Sequence, residues 1–135
     1  MKKAIDLDRL INKAKEAREQ AYAPYSNFMV GAVVVGESGK IYTGCNIENS
    51  SFGLTICAER VALFKALSEG ERKVQMLVLV TDTKTPVQPC GACRQVLSEF
   101  NPEMLIVSNN LKGQREEKKL SDIFPEAFGK QSLKG

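Results

Sequence analysis

Histidine is absent from the whole of this 135-residue chain. That absence removes several catalytic classes at once. No Ser–His–Asp triad, no Cys–His nucleophile pair, no HExxH zinc site and no two-His-one-carboxylate iron site can be built. Proton transfer near neutral pH is left to a tuned carboxylate, a thiol or a metal-activated water. Long apolar runs are missing too: none approaches the ~20 residues of a membrane-spanning helix. Nor is there a large excess of one charge. Lys and Arg number 19 against 16 Asp and Glu, a formal balance of +3. A nucleic-acid surface would need clustered basic residues instead. The opening MKKAIDLDRL lacks the apolar core of a secretory signal. These absences predict a cytoplasmic protein that binds neither membrane nor nucleic acid.

What is present is an ordinary globular composition, 43% hydrophobic and 26% charged, in a chain long enough to bury a core without staples. Residues 1–135 read as one domain, with loose ends near 1–4 and 129–135. Leu7, Leu10, Ile11, Ala14, Ala17 and Ala21 recur at helical spacing, with Asp6 as N-cap and Pro24 as the stop. MVGAVVV (29–35) suits a strand buried on both faces. Glu37–Lys40 turns the chain into a hairpin partner at 41–45. A polar loop at 46–56 precedes a helix at 58–69, with Val61, Phe64 and Leu67 on its core side and Gly70 at its end. Residues 76–80 and 104–107 read as further strands around a helix at 91–100. The tail adds an edge strand near 114–120 and a short helix from Ser121. A hairpin followed by α-β-α-β predicts an α/β fold, one mixed sheet with helices packed on it.

Four cysteines, at 45, 57, 90 and 93, read in a reducing compartment as ligands or free thiols before disulfides. The sharpest signal is Cys57-Ala58-Glu59 followed by Pro89-Cys90-Gly91-Ala92-Cys93. Each motif opens a predicted helix. Cys90 and Cys93, three apart, share a helical face and can grip one ion. Helix N-termini favour thiolates. Cys57 supplies a third ligand from the other helix start. Three protein ligands leave one tetrahedral position open, the mark of catalytic zinc. Glu59, two residues from a ligand, can serve as general base and acid for the water such an ion activates. The pattern is that of the zinc deaminases. The competing reading is a structural zinc site with Cys45 as fourth ligand. Such sites normally use paired Cys-x-x-Cys knuckles, whereas eleven residues separate Cys45 from Cys57. Cys45 itself reads as a small buried hydrophobe at a strand end.

With AYAPYSNFMVGA at 21–32, GCNIENSSFGLTICAER at 44–60 and PCGACRQVLSEF at 89–100, the chain resembles the small homotetrameric cytidine deaminases over roughly residues 5–128. The resemblance implies a three-layer fold, a mixed five-stranded sheet flanked by helices. It implies hydrolytic deamination of cytidine and deoxycytidine, with Cys57, Cys90 and Cys93 holding one Zn2+ and Glu59 carrying protons. By the same resemblance Asn46 and Glu48 bond the sugar hydroxyls, the Ala58 backbone touches the pyrimidine, and Phe28 packs on the substrate. Phe128 matches an aromatic contributed from a neighbouring subunit. Taken alone, Asn46 reads as a turn residue, Phe28 as a core aromatic and Glu48 as a loop charge. A carboxylate beside the sugar would repel a phosphate, so Glu48 favours nucleosides over nucleotides.

Three thiolates on a dication leave a net negative charge, which makes a bound water less acidic than at a neutral-ligand site. Arg60 is the expected compensation, donating hydrogen bonds to ligand thiolates. Arg94 reads as a surface charge. Two rival functions share parts of this pattern. One is a blasticidin-type aminonucleoside deaminase, against which Asn46-Ile47-Glu48-Asn49 speaks. The other is a structural zinc module that binds nucleic acid, against which the small net charge speaks.

Overall fold

Every residue of Val30–Gly36 is buried, as an apolar strand in the interior of a sheet requires. In the computed structural model, which describes residues 5–134, this strand (β1) pairs antiparallel with β2 (Ile41–Cys45) on one side and β3 (Val74–Thr81) on the other. β3 runs parallel to β4 (Leu105–Asn110), and β5 (Arg115–Lys119) closes the far edge antiparallel. The order is β2-β1-β3-β4-β5, a mixed five-stranded sheet. The helices are α1 (Leu7–Arg18), α2 (Ala58–Ser68), α3 (Gly91–Phe100), and two short ones, α4 (Leu120–Ile123) and α5 (Lys130–Leu133). The expected loose end at 1–4 lies outside the described residues. At the other end, Lys130–Leu133 forms a short exposed helix.

Strand alternation splits the core in two. Val33, Val35, Met76, Val78 and Val80 face α1 through Leu10, Ile11 and Ala14. Ala32, Val34, Leu77, Leu79 and Ile106 face the α2 and α3 side through Ala58, Ala62, Leu63, Ala66 and Leu97. Three layers result, α/β/α. β5 reads Arg-Glu-Glu-Lys-Lys, and such charge protects an edge strand from further pairing. No described helix is long and apolar enough to cross a membrane.

Two helix predictions need correction. Pro24 does not end α1: the helix stops at Arg18, capped at Glu19. On α2, the buried face is Ala58, Ala62, Leu63 and Ala66, whereas Val61 and Leu67 are half-buried and Phe64 is 42% exposed. The reason is a close approach of helix and sheet. A Cβ on Gly44 would lie 2.5 Å from the Ala62 nitrogen and 2.6 Å from the Ala58 carbonyl oxygen. Only small residues fit that seam, so Ala58 and Ala62 face Gly44, Leu63 packs beside them, and Phe64 turns outward. Gly31 plays the same part beneath α1, where a Cβ would meet the Ala14 carbonyl oxygen at 1.9 Å.

Buried Glu71, just beyond α2, ties down the β1–β2 turn. Its carboxylate accepts from the Tyr42 hydroxyl at 2.8 Å, from the Ser38 N–H at 3.4 Å and from the Ser38 hydroxyl. These bonds, the Ser38 hydroxyl first, hold its carboxyl below the ordinary glutamate value. Its stabilisation is therefore complete above that value and is lost as pH falls through the lower folded-state value.

Two measurements check this packing. Gly44→Ala should lower stability by about 1–3 kcal/mol in urea denaturation, because α2 must move off the sheet. Glu71→Gln should be less stable than the parent at pH 7, with the gap narrowing in acid below about pH 4.3 as the parent's carboxylate is protonated. A gap that widens in acid would contradict the assignment.

Candidate active site

The site lies at one end of the sheet. β1 begins there at Val30, opposite Thr81 at the end of β3, and β2 ends there at Cys45, opposite Gly31. Open α/β sheets place their ligand crevices outside the carboxyl ends of parallel strands, and β3 and β4 both end here, with Thr81 paired to Asn110. Two helices then start beside this end. Cys57 is the N-cap of α2 and Cys90 the N-cap of α3. Ser, Thr, Asp or Asn usually caps a helix through its side chain. Neither cysteine makes such a cap bond, so both thiols are free for other partners.

The Sγ atoms of Cys57, Cys90 and Cys93 all lie within 4.8 Å of one another, with Cys57 and Cys90 3.9 Å apart. Tetrahedral zinc with Zn–S near 2.3 Å sets its ligand sulfurs about 3.8 Å apart. The three thiols therefore fit a zinc ion. The charge chemistry agrees. Hydrogen bonds from the Cys93 thiol and the Arg60 guanidinium pull the Cys57 thiol well down. The same Cys57 contact, together with burial, pushes Cys93 far up. One proton leaves readily and the next does not, because neighbouring thiolates repel; a dication removes that barrier. Cys45 stands outside the group. It is a half-buried free thiol at the end of β2, raised by burial.

Glu59 is 5% exposed. Burial pushes its carboxyl up to about 7, the neighbouring Cys57 adds to the rise and Arg60 offsets part of it. A carboxyl in this range can both take and return a proton near neutral pH. Arg60 Nη2 donates to Cys57 Sγ at 3.5 Å, and Arg60 Nε is buried without a partner. Arg60 is thus placed against a thiol.

Cys57, Ala58, Glu59 and Cys90 line a cavity of about 280 Å³ together with Phe28, Asn46 and Glu48. Ala58 opens α2, so its backbone N–H has no partner within the helix. Asn46 follows β2 directly and lines the cavity. Its Oδ1 accepts from Val30 N–H at 2.9 Å and its Nδ2 donates to the Phe28 carbonyl at 2.7 Å. Glu48 likewise organises the 25–28 loop, accepting from the N–H groups of Tyr25 at 2.9 Å and Ser26 at 3.1 Å and from the Ser26 hydroxyl. The Ser26 hydroxyl bond is the main cause that keeps its carboxyl low, hence ionised. Phe28 is 43% exposed at the cavity rather than a core aromatic. Phe128 does not line the cavity and is 58% exposed.

Sequence reasoning missed four polar wall residues, Ser26, Thr55, Thr81 and Gln88. Gln88, two residues before Cys90, could have been found from that adjacency; Thr81 could not, since only the strand pairing brings it here. Arg94 also needs correction. It is half-buried, and its guanidinium donates to two backbone carbonyls, Pro89 at 2.7 Å and Ile123 at 3.0 Å.

A three-layer α/β/α sheet with three convergent thiols and a buried carboxyl at its ligand end defines a zinc deaminase. The chain belongs to the family described as the cytidine and deoxycytidylate deaminase zinc-binding region, whose model matches residues 5–109. It is 53% identical over 130 residues to a cytidine deaminase of Sporosarcina psychrophila, covering 96% of each. The crystal structure of the Burkholderia pseudomallei cytidine deaminase superposes with a TM-score of 0.89 at 47% identity, covering 92% of this chain and all of that one. The Mycobacterium tuberculosis cytidine deaminase gives 0.81 at 38% identity, over 93% of this chain and 99% of that one.

Metal analysis after dialysis separates the ligands from the bystander. Cys45→Ser should keep one zinc per chain, and Cys93→Ser should lose most of it. Loss of zinc in the Cys45 variant would revive a four-cysteine site.

Proposed function

We propose that this chain hydrolyses the C4 amine of cytidine and deoxycytidine, yielding uridine and deoxyuridine and releasing ammonia in pyrimidine salvage. The carrying observation is the placement of Glu59: buried, on the first turn of α2, and in one cavity with the thiols of Cys57 and Cys90. Cys57, Cys90 and Cys93 hold the zinc, which supplies the Lewis acidity that makes water nucleophilic near neutral pH. The remaining steps fall to side chains of this protein. Glu59 takes the water proton and delivers it to ring nitrogen N3 as oxygen attacks C4. It then takes the remaining proton of the hydroxyl added at C4 and passes it to the amine, so that the C4–N bond breaks, a C4 carbonyl forms and ammonia leaves. A single carboxylate serves in both directions, as a chain without histidine requires.

The Ala58 N–H is free to bind the pyrimidine edge. Asn46 and Glu48 take the sugar hydroxyls: an amide offers both donor and acceptor, and a carboxylate accepts. Both are already fixed by backbone bonds, so they are preorganised rather than ordered by the ligand. The ionised Glu48 also supports nucleosides over phosphorylated substrates. Phe28 packs on the substrate at the cavity. Arg60 neutralises the excess charge of the thiolate cluster and so tunes the metal.

The assembly is read as a homotetramer in which Phe128 reaches a neighbouring subunit's cavity. Supporting this, Phe52 is 74% exposed and Leu54 72%, an apolar surface that another copy would cover. A reducing cytoplasm would keep Cys57, Cys90 and Cys93 as thiols able to hold the metal.

The zinc-loaded protein should deaminate cytidine and deoxycytidine, followed by ultraviolet change and ammonia release. Glu59→Gln should lower turnover about 10²–10⁴-fold or more with zinc retained. Zinc-loaded protein that turns over neither nucleoside would overturn the substrate assignment. Retained turnover in the Gln variant would overturn the role of Glu59.

A further inference from the structure

Arg94 and Gln95 directly follow Cys93 on the first turns of α3. Both spend their donors on backbone carbonyls of distant segments. The Arg94 Nε bond at 2.7 Å goes to Pro89, the residue before Cys90, and the Nη1 bond at 3.0 Å goes to Ile123 in α4. Gln95 Nε2 donates to the Phe128 carbonyl at 3.0 Å. Among the described residues no carboxylate pairs with Arg94 within ion-pair distance. Its charge strengthens these two bonds to neutral oxygens instead.

The bracketed segment is held against its own preference. Between the two anchored carbonyls, Glu126 sits at φ 53°, a left-handed conformation that residues other than Gly, Asn and Asp rarely adopt. Such a conformation persists only where surrounding contacts over-determine it. Ile123 and Phe124 supply part of that hold, packing on the cluster that contains Cys93 and Leu97. The exposed Lys130–Glu99 pair at 4.0 Å adds little.

We propose that Arg94 and Gln95 are positioning residues that couple the metal loop to the 123–128 segment and thereby set where the chain presents Phe128. Arg94 is suited to the task because its planar guanidinium fixes the Nε and Nη1 donors at a set angle in one rigid plane, so the Pro89 and Ile123 carbonyls are held in a set relation. Lysine carries a single flexible ammonium and does not reproduce that fork. A shift of Cys90 moves the Pro89 carbonyl, and through Arg94 it moves Ile123. Gln95 completes the latch at Phe128. The kinetic consequence rests on the reading of Phe128 as a substrate contact in a neighbouring cavity; the coupling is a property of this chain alone.

The test is hydrogen exchange by mass spectrometry on zinc-loaded protein, together with the rate at which zinc passes to a chromophoric chelator. Gln95→Ala should speed exchange in peptides covering 123–128 about tenfold while β3 stays protected and zinc release is unchanged. Arg94→Lys should speed both tail exchange and zinc release, since it loosens both ends of the clamp. Wild-type tail exchange in both variants would overturn the coupling, as would faster zinc release in Arg94→Lys with no change in the tail. Cytidine kinetics give a separate readout: Gln95→Ala should raise KM several-fold with kcat within twofold. Faster tail exchange with unchanged KM would keep the latch and overturn the substrate role of Phe128.

Discussion

Two helix N-termini, brought face to face at one end of a sheet, are the constraint on which the rest of the site depends. Cys57 caps α2 and Cys90 caps α3. Their thiols meet Cys93 only because both helices lie on the same face of the sheet and begin at the same end of it. The unpaired N–H groups of each first turn give that end a positive bias. A cluster of sulfurs that would repel one another as thiolates is thus assembled where thiolates are least costly. Gly44 is part of the same constraint. A side chain there would lift α2 off the sheet and carry Cys57 away from its partners.

Glu59 draws its chemistry from this arrangement. As the second residue of α2 it is buried beside the thiols, where water solvates it poorly, so its carboxyl rises toward neutrality. Glu48, by contrast, is fed by hydrogen bonds from the 25–26 loop and stays ionised. Two carboxylates in one cavity are therefore shifted in opposite directions, one raised by burial and the other lowered by hydrogen bonds, which suits one to moving protons and the other to accepting bonds from hydroxyls. Arg60 and Arg94 divide the positive side similarly. One turns its guanidinium to a thiol, the other to the backbone on which the thiols are mounted.

Much of this was legible in the residues. The apolar run of β1, the Gly-Lys turn, the spacing Cys57…Cys90-x-x-Cys93 and the adjacent Glu59 all carry local signals, because ligation at a helix start and burial in a central strand constrain nearby positions. Errors fell where the deciding contact was distant in sequence. Val61 and Phe64 have the spacing of a core face on α2, yet Gly44 on β2 selects the alanine face instead. Arg94 looks like any charged residue after a motif until Ile123 is folded against it. The bonds by which Asn46 and Glu48 hold the 25–30 loop likewise carry no local signal, because they join segments far apart in the chain.

The sequence by itself determined the class of chemistry. With no histidine, proton transfer was confined to a carboxylate, a thiol or a metal-activated water, and three cysteines at helix starts offered thiols to a metal; these are properties of residue type and short-range spacing. Only the tertiary structure decided the cavity that Thr81 and Gln88 help to wall, the face of α2 that is buried, and the clamp that Arg94 forms across the C-terminal segment. Each of these depends on which backbone atoms meet across tens of residues. Strand register and helix–sheet distance set those meetings, and no local pattern encodes either.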